Sequence, residues 1–192
     1  MRVGKFKKEL VLKSIGASIL IGLGDFALLK VGGALGAFLF SLGLLGVCYL
    51  GLNLFTGKCG FWGELTIKRL LAILAVNLVS GYLFGWILGQ IDNSIVSVAV
   101  EKMNGWEFSL GFLGKGVLCG MIMYIAVKLY REGTPLGILM GVPLFILCGF
   151  QHCIANVITM GIAGGFSWTL LLAVLGNWMG SLLVWEVSYN RI

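Results

Sequence analysis

The chain has 192 residues, of which 59% are hydrophobic and 11% charged, with a formal net charge of +6 and a mean hydropathy of +1.01. A soluble domain is about a quarter charged, so these values exclude a soluble globular enzyme, a disordered chain and a nucleic-acid binder acting through its charge. Six apolar segments follow one another at about 12–29, 35–55, 70–90, 108–128, 136–158 and 167–186. Each approaches the roughly 20 residues that a helix needs to cross hydrocarbon. A membrane barrel would instead show alternating strands of about ten residues. The expected fold is an all-α integral membrane protein of six transmembrane helices, in one domain over residues 1–192.

The first segment follows Arg2, Lys5, Lys7 and Lys8 and carries Lys13. A basic stretch before an apolar run also resembles a signal peptide, but removing it would leave five spans, so it is read as a span. With the N-terminus inside, the cytoplasmic connections gather Lys68, Arg69, Lys128, Arg131 and Arg191. The outer ones hold Lys30 and Lys102 with Asp25, Asp92, Glu101 and Glu107. That bias puts both termini in the cytoplasm and accounts for the positive charge without an acidic partner. Trp62, Trp86, Trp106, Trp168 and Trp185 fall near span ends, as interfacial aromatics do. Glycines four apart, such as Gly81/Gly85/Gly89, Gly116/Gly120 and Gly176/Gly180, suit close helix packing in a bilayer. Cys48, Cys59, Cys119, Cys148 and Cys153 lack metal-site spacing and are read as small apolar fillers.

Segments one to three (about 12–90) resemble segments four to six (about 108–186). Gly51-Leu-Asn53 lines up with Gly149-Phe-Gln151, 98 residues on, and Asn77 with Asn177, 100 residues on. Three spans per half implies inverted repeats, which in transporters and channels place the pathway near the midplane. The equivalent points of spans two and five carry the polar residues, Asn53-Leu-Phe-Thr56-Gly57-Lys58 and Gln151-His152-Cys153-Ile-Ala-Asn156. Both spans are therefore expected to be broken there. Polar groups at that depth are costly unless they face an interior or a wet cavity. His152, the one histidine of the chain, is accordingly read as a pathway residue.

At these residues the sequence resembles the formate/nitrite transporter family. Phe40-Ser-Leu-Gly-Leu44 with Gly51-x-x-Leu54-Phe55-Thr56-Gly57 is similar to the family's second span and its break. Gly149-Phe-Gln-His152-Cys-Ile-Ala-Asn156 resembles its fifth-span Gly-Phe-Glu-His-Ser-x-Ala-Asn signature. Val76-Asn77-Leu-Val and Gly176-Asn177-Trp-Met-Gly180 resemble its asparagine motifs in spans three and six.

The resemblance implies a homopentamer in the cell membrane. Each protomer would have an aquaporin-like build and its own pore for a small monovalent anion or its acid: formate, nitrite, hydrosulfide, in some branches lactate or acetate. On the matching positions, Phe40, Leu44, Leu54, Phe55 and Phe145 would form two apolar constrictions. His152 would lie between them and Thr56 in the break, while Lys102 would stand for a family lysine near the pore. Four residues depart from the family pattern. Asn53 and Gln151 replace acids, Gly120 replaces an asparagine near the histidine and adds space, and Lys58 follows Thr-Gly where an asparagine is usual.

A bare anion in an apolar slit loses several kcal/mol or more of hydration, and a neutral acid much less. Lys58 and Lys102 would concentrate the anion, half-helix N-termini after both breaks would add positive potential, and His152 would supply a hydrogen bond or a proton. Other readings are a neutral-solute channel of the same fold, a substrate-capture subunit of a vitamin importer, and a small intramembrane enzyme. The last would rest on Cys153 beside His152, and adjacent helical residues point about 100° apart. No nucleotide loop, metal motif or cofactor site is recognisable.

Overall fold

The computed structural model describes residues 2–189, so Arg191 lies outside the described residues, as do the side chains of Arg2 and Lys5. The helices are α1 (Arg2–Val31), α2 (Gly33–Tyr49), α3 (Ile67–Ile91), α4 (Ser94–Asn104), α5 (Leu110–Arg131), α6 (Leu136–Leu147), α7 (Cys153–Ala163) and α8 (Thr169–Tyr189). There are eight among the described residues, where six were expected. Two local features make the difference. The apolar segment 136–158 holds two helices, α6 and α7, and the connection after α3 folds as α4 behind the Asp92 carboxylate, whose Oδ1 accepts from the Ser94 N–H and hydroxyl.

Helix α2 also stops at Tyr49, short of residue 55. Beyond it, residues 54–65 run in turns closed by bonds such as Lys58 N–H to Phe55 O and Phe61 N–H to Lys58 O. The expected half-helix N-terminus is thus found after residue 152 and not after residue 53.

Helices α1, α3, α5 and α8 are long and apolar enough to cross a membrane, and α2, α6 and α7 are shorter apolar helices. Thr66 and Ser109 begin α3 and α5 by accepting the N–H of Arg69 and Phe112. Helices α1 and α2 run antiparallel, whereas α1 with α3, α3 with α7 and α5 with α8 run parallel. At one end, Lys30 Nζ binds Asp92 Oδ2 at 2.7 Å and joins α1, α3 and α4. At the other, Arg131 of α5 binds Glu64 at 2.6 Å ahead of α3. These are called below the α4 end and the opposite end.

The helices meet through glycine faces. A side chain at Gly85 or Gly161 would strike the backbone of Ile158 or Tyr82 across the α3–α7 contact, and one at Gly180 would strike Val117 across α5–α8. Such faces let backbones approach where lipid removes the hydrophobic drive for helices to associate. Helix α7 is enclosed on every side, buried from Cys153 to Ile162, whereas Leu42, Val79, Leu110 and Val187 lie exposed on the outer surface.

Candidate functional site

The site is built from two interruptions that use the same bonds. In the first, Gly51 takes φ +61° and Leu52 N–H returns to Val47 O. In the second, Gly149 takes φ +67° and Phe150 N–H returns to Phe145 O. The left-handed conformation at both points favours glycine and ends the helix. Asn53 N–H then donates to Lys13 O, and Gln151 N–H to Lys115 O.

Two buried asparagines hold the freed backbone. Asn77 Oδ1 accepts from Phe55 N–H at 2.9 Å, and its Nδ2 donates to Ser14 O and Asn53 O. Asn177 Oδ1 accepts from Cys153 N–H at 2.8 Å, and its Nδ2 donates to Gly116 O and Gln151 O. Backbone polar groups released in a span must be satisfied by protein, and one amide, with an acceptor and two donors, serves both sides of a break. In the sequence these asparagines stand out only as a repeated pair that matches the family's motifs, compatible with helix packing. Their 100-residue spacing was visible, but that each holds a break was not.

Between the breaks lies His152, which caps α7. Its Nδ1 accepts from Ala155 N–H at 3.1 Å, and its Nε2 is 2.8 Å from Thr56 Oγ1. Because Nδ1 is an acceptor, the hydrogen-bond network assigns the ring proton to Nε2, which donates to Thr56. The Thr56 hydroxyl keeps its own hydrogen for another partner. The imidazole stacks on Phe145, centroids 5.7 Å apart, and Phe145 meets Phe40 edge-to-face at 6.2 Å. The structure thus brings Phe40, Phe145, His152 and Thr56 into one cluster.

Leu44 and Leu54 are buried at the inner wall of a cavity of about 300 Å³ at the opposite end, whose lining also includes Lys58, Val127 and Arg131. Phe55 packs edgewise on Trp178. Gln151 Oε1 accepts from Asn156 Nδ2, while Gln151 Nε2 turns back to Gly149 O.

Lys102 lies apart, on α4, 3.5 Å from Asp25 Oδ1 and donating to Thr159 Oγ1 at 3.3 Å. Gly120 opens no space, because the backbone of Asn177 fills the position where a side chain would stand. Arg131 was read only as a basic residue of a connection; it lines the cavity beside Lys58, with its guanidinium 3.6 Å over the Phe61 ring. Lys115 was passed over inside an apolar run, and its signal was the repeat itself, since it stands to Gln151 as Lys13 stands to Asn53.

The sequence matches the formate/nitrite transporter family over residues 2–190. The chain belongs to that family. As a formate/nitrite transporter family member it falls among channels and transporters and not among enzymes. It is 27% identical over 194 residues to the "Uncharacterized transporter YrhG" of Bacillus subtilis, covering 82% of this chain and 72% of the relative. To "Uncharacterized transporter YwcJ" of the same organism it is 27% identical over 194 residues, covering 82% and 74%. To the "Formate channel FocA" of Haemophilus influenzae it is 28% identical over 153 residues, covering 66% of this chain and 53% of that one. Among solved structures, an "FNT family ion channel" superposes with a TM-score of 0.79 at 21% identity, covering 97% of this chain and 91% of the other. A "Pentameric formate channel with formate bound" gives 0.73 at 20% identity, covering 96% of each. The two establish the family's all-helical channel fold.

Proposed function

We propose that this protein is a passage for small monovalent weak acids of the formate, nitrite and hydrosulfide class. It would work as a single-domain protomer of a homopentamer in the cell membrane, with both termini, and so the opposite end, cytoplasmic. The observation that carries the reading is the Thr56–His152 pair between apolar side chains, where a buried polar contact joins the two interrupted segments. The formate channels among the relatives support the substrate class, and the pentameric one supports the assembly.

The residues supply a physical route. At the cytoplasmic mouth, Lys58 carries positive charge into the cavity, and the acid nearest Arg131, Glu64, is already bound to it. This attracts anions and raises their local concentration. Beyond Leu44 and Leu54 an anion must shed water, and crossing as the neutral acid avoids most of that cost. Thr56 then offers its free hydroxyl hydrogen, oriented by His152. The imidazole works as a hydrogen-bond donor that sets this orientation. Charging it would protonate Nδ1, remove the cap of α7, worth about 0.5–2 kcal/mol, and bury a cation. Asn53 and Gln151 have no charge to repel the anion, and their backbones close the breaks.

The test is stopped-flow flux in proteoliposomes with formate, nitrite, hydrosulfide and glycerol. Saturable passage of a weak acid is expected, reduced on the order of tenfold or more in Thr56→Val, the loss of one oriented donor, and retained in Thr56→Ser. Passage of glycerol alone would make this a neutral-solute channel. An unchanged rate in Thr56→Val would remove the Thr56–His152 pair from the route.

A further inference from the structure

We propose that the cavity at the opposite end is a binding site for a monocarboxylate with a short alkyl tail, of propionate or butyrate size, which lodges there and blocks the passage. The block, though not the binding, rests on the function proposed above. The cavity holds about 300 Å³, at the lower end of the roughly 300–1,000 Å³ of small-molecule sites. An ion such as formate or nitrite carries no hydrocarbon to lay against an apolar wall. The cavity therefore offers room and surface that such an ion leaves unused.

Its charges match one negative charge and no more. Lys58 lines the cavity, and none of the ion pairs among the described residues includes it. Arg131 lines it too, with its guanidinium already held. Nη1 donates to Glu64 Oε1 at 2.6 Å, and the central carbon lies 3.6 Å from the centre of the Phe61 ring. Phe61 is itself stacked on Tyr124 of α5, centroids 4.8 Å apart. A guanidinium has five N–H donors, so the bond to Glu64 leaves others for a second carboxylate, in an orientation fixed before the ligand arrives. Two cations against the one carboxylate of Glu64 leave a single positive charge. A monoanion neutralises it, whereas the second charge of a dianion would face Glu64 uncompensated.

The alkyl tail is matched by hydrocarbon. Leu44 and Val47 of α2, Leu54 of the break and Val127 of α5 all line the cavity and are buried. A tail laid against them leaves water, which tightens binding about fourfold for each methylene. The head stays with Lys58 and Arg131, and Arg131 is still partly exposed, so the carboxylate keeps its charge at a wet rim. This reverses what crossing demands. A solute that crosses must give up its charge to go past Leu44 and Leu54, and formate has nothing else to hold it. A tailed acid is held at both ends, with its tail against the two leucines, and occupies the way to Thr56.

The test is saturation-transfer NMR of butyrate on the protein in lipid nanodiscs, against empty nanodiscs, together with exchange of radiolabelled formate across proteoliposomes holding equal butyrate on both sides. From acetate through propionate to butyrate, affinity should rise about fourfold per carbon. Butyramide, the same tail without the charge, should not bind. Lys58→Gln should weaken butyrate on the order of tenfold, the loss of one charge-assisted contact. Gly57→Leu should abolish its binding. Gly57 lines the cavity and a Cβ there meets nothing closer than 3.6 Å, so the backbone accepts the side chain, which fills the space. Formate exchange in the wild-type protein should fall as butyrate saturates its site. Absence of butyrate binding, equal binding of butyramide, or binding unchanged in both variants overturns the site. Butyrate that binds without slowing formate exchange overturns the block. A protein that binds butyrate but exchanges no weak acid overturns the function proposed above and leaves the site standing.

Discussion

Replacing Asn177 with alanine should unfasten the second break. The substitution removes the acceptor of the buried Cys153 N–H and the donor to the partly buried Gln151 O. Gly116 O lies inside α5 and keeps its helical partner. One buried and one partly buried backbone group are thus left unmatched at about 1–3 kcal/mol each, roughly 2–6 kcal/mol together. A domain of this size shifts its Tm by about 2–4 °C per kcal/mol, so melting should fall on the order of 5–20 °C. Asn77→Ala should lose less, although Asn77 makes the equivalent bonds. The hydroxyls of Ser18 and Ser80 stand beside it and can take over orphaned groups, whereas Gly120 holds the place in α5 that corresponds to Ser18. Thermal unfolding of the detergent-solubilised proteins would measure both, with flux in vesicles reporting whether the break still places His152. If Asn177→Ala melts at the wild-type temperature and conducts normally, the asparagine does not hold the break. If Asn77→Ala proves the more damaging, the rescue by serine is wrong.

Two further outcomes follow from contacts away from the histidine. Gly120→Ala should destabilise the protein by about 1–3 kcal/mol, as overpacking does, because the new methyl meets the Asn177 backbone; a stable variant with altered selectivity would mean that Gly120 faces the passage instead. Asp92 is held down to about pKa 2, chiefly by its bond to Lys30 and then by Ser94. A depressed folded pKa contributes stability that is present above the unfolded value, about 3.9, and is lost as pH falls through about 2. Acid titration of melting should therefore be shallower across that interval in Asp92→Asn, with the effect reduced by salt because the pair is exposed. Parallel titration curves would refute the pairing.

Much of this protein could be read in its sequence. Membrane immersion, helical class and approximate span positions follow from continuous apolar runs, which are properties of each segment by itself. The repeat and the family could be read because Gly51 and Gly149, and Asn77 and Asn177, recur at nearly constant spacing. Helix count failed where a short-range feature decided it. Hydropathy does not register the turn at Gly149 inside an apolar run, nor a helix as brief and exposed as α4.

The chemistry of the site depended on contacts between residues far apart in the chain. Thr56 and His152 are 96 residues apart, Asn177 and Cys153 are 24, and Asp25 and Thr159 are 134. Which nitrogen of His152 carries its proton, whether the space beside Gly120 is open, and whether Lys102 is free or engaged are decided by what each group faces after packing. Hydropathy and spacing carry the fold because they act along the chain. Hydrogen bonds and charges act across it, and only the packed structure brings their partners together.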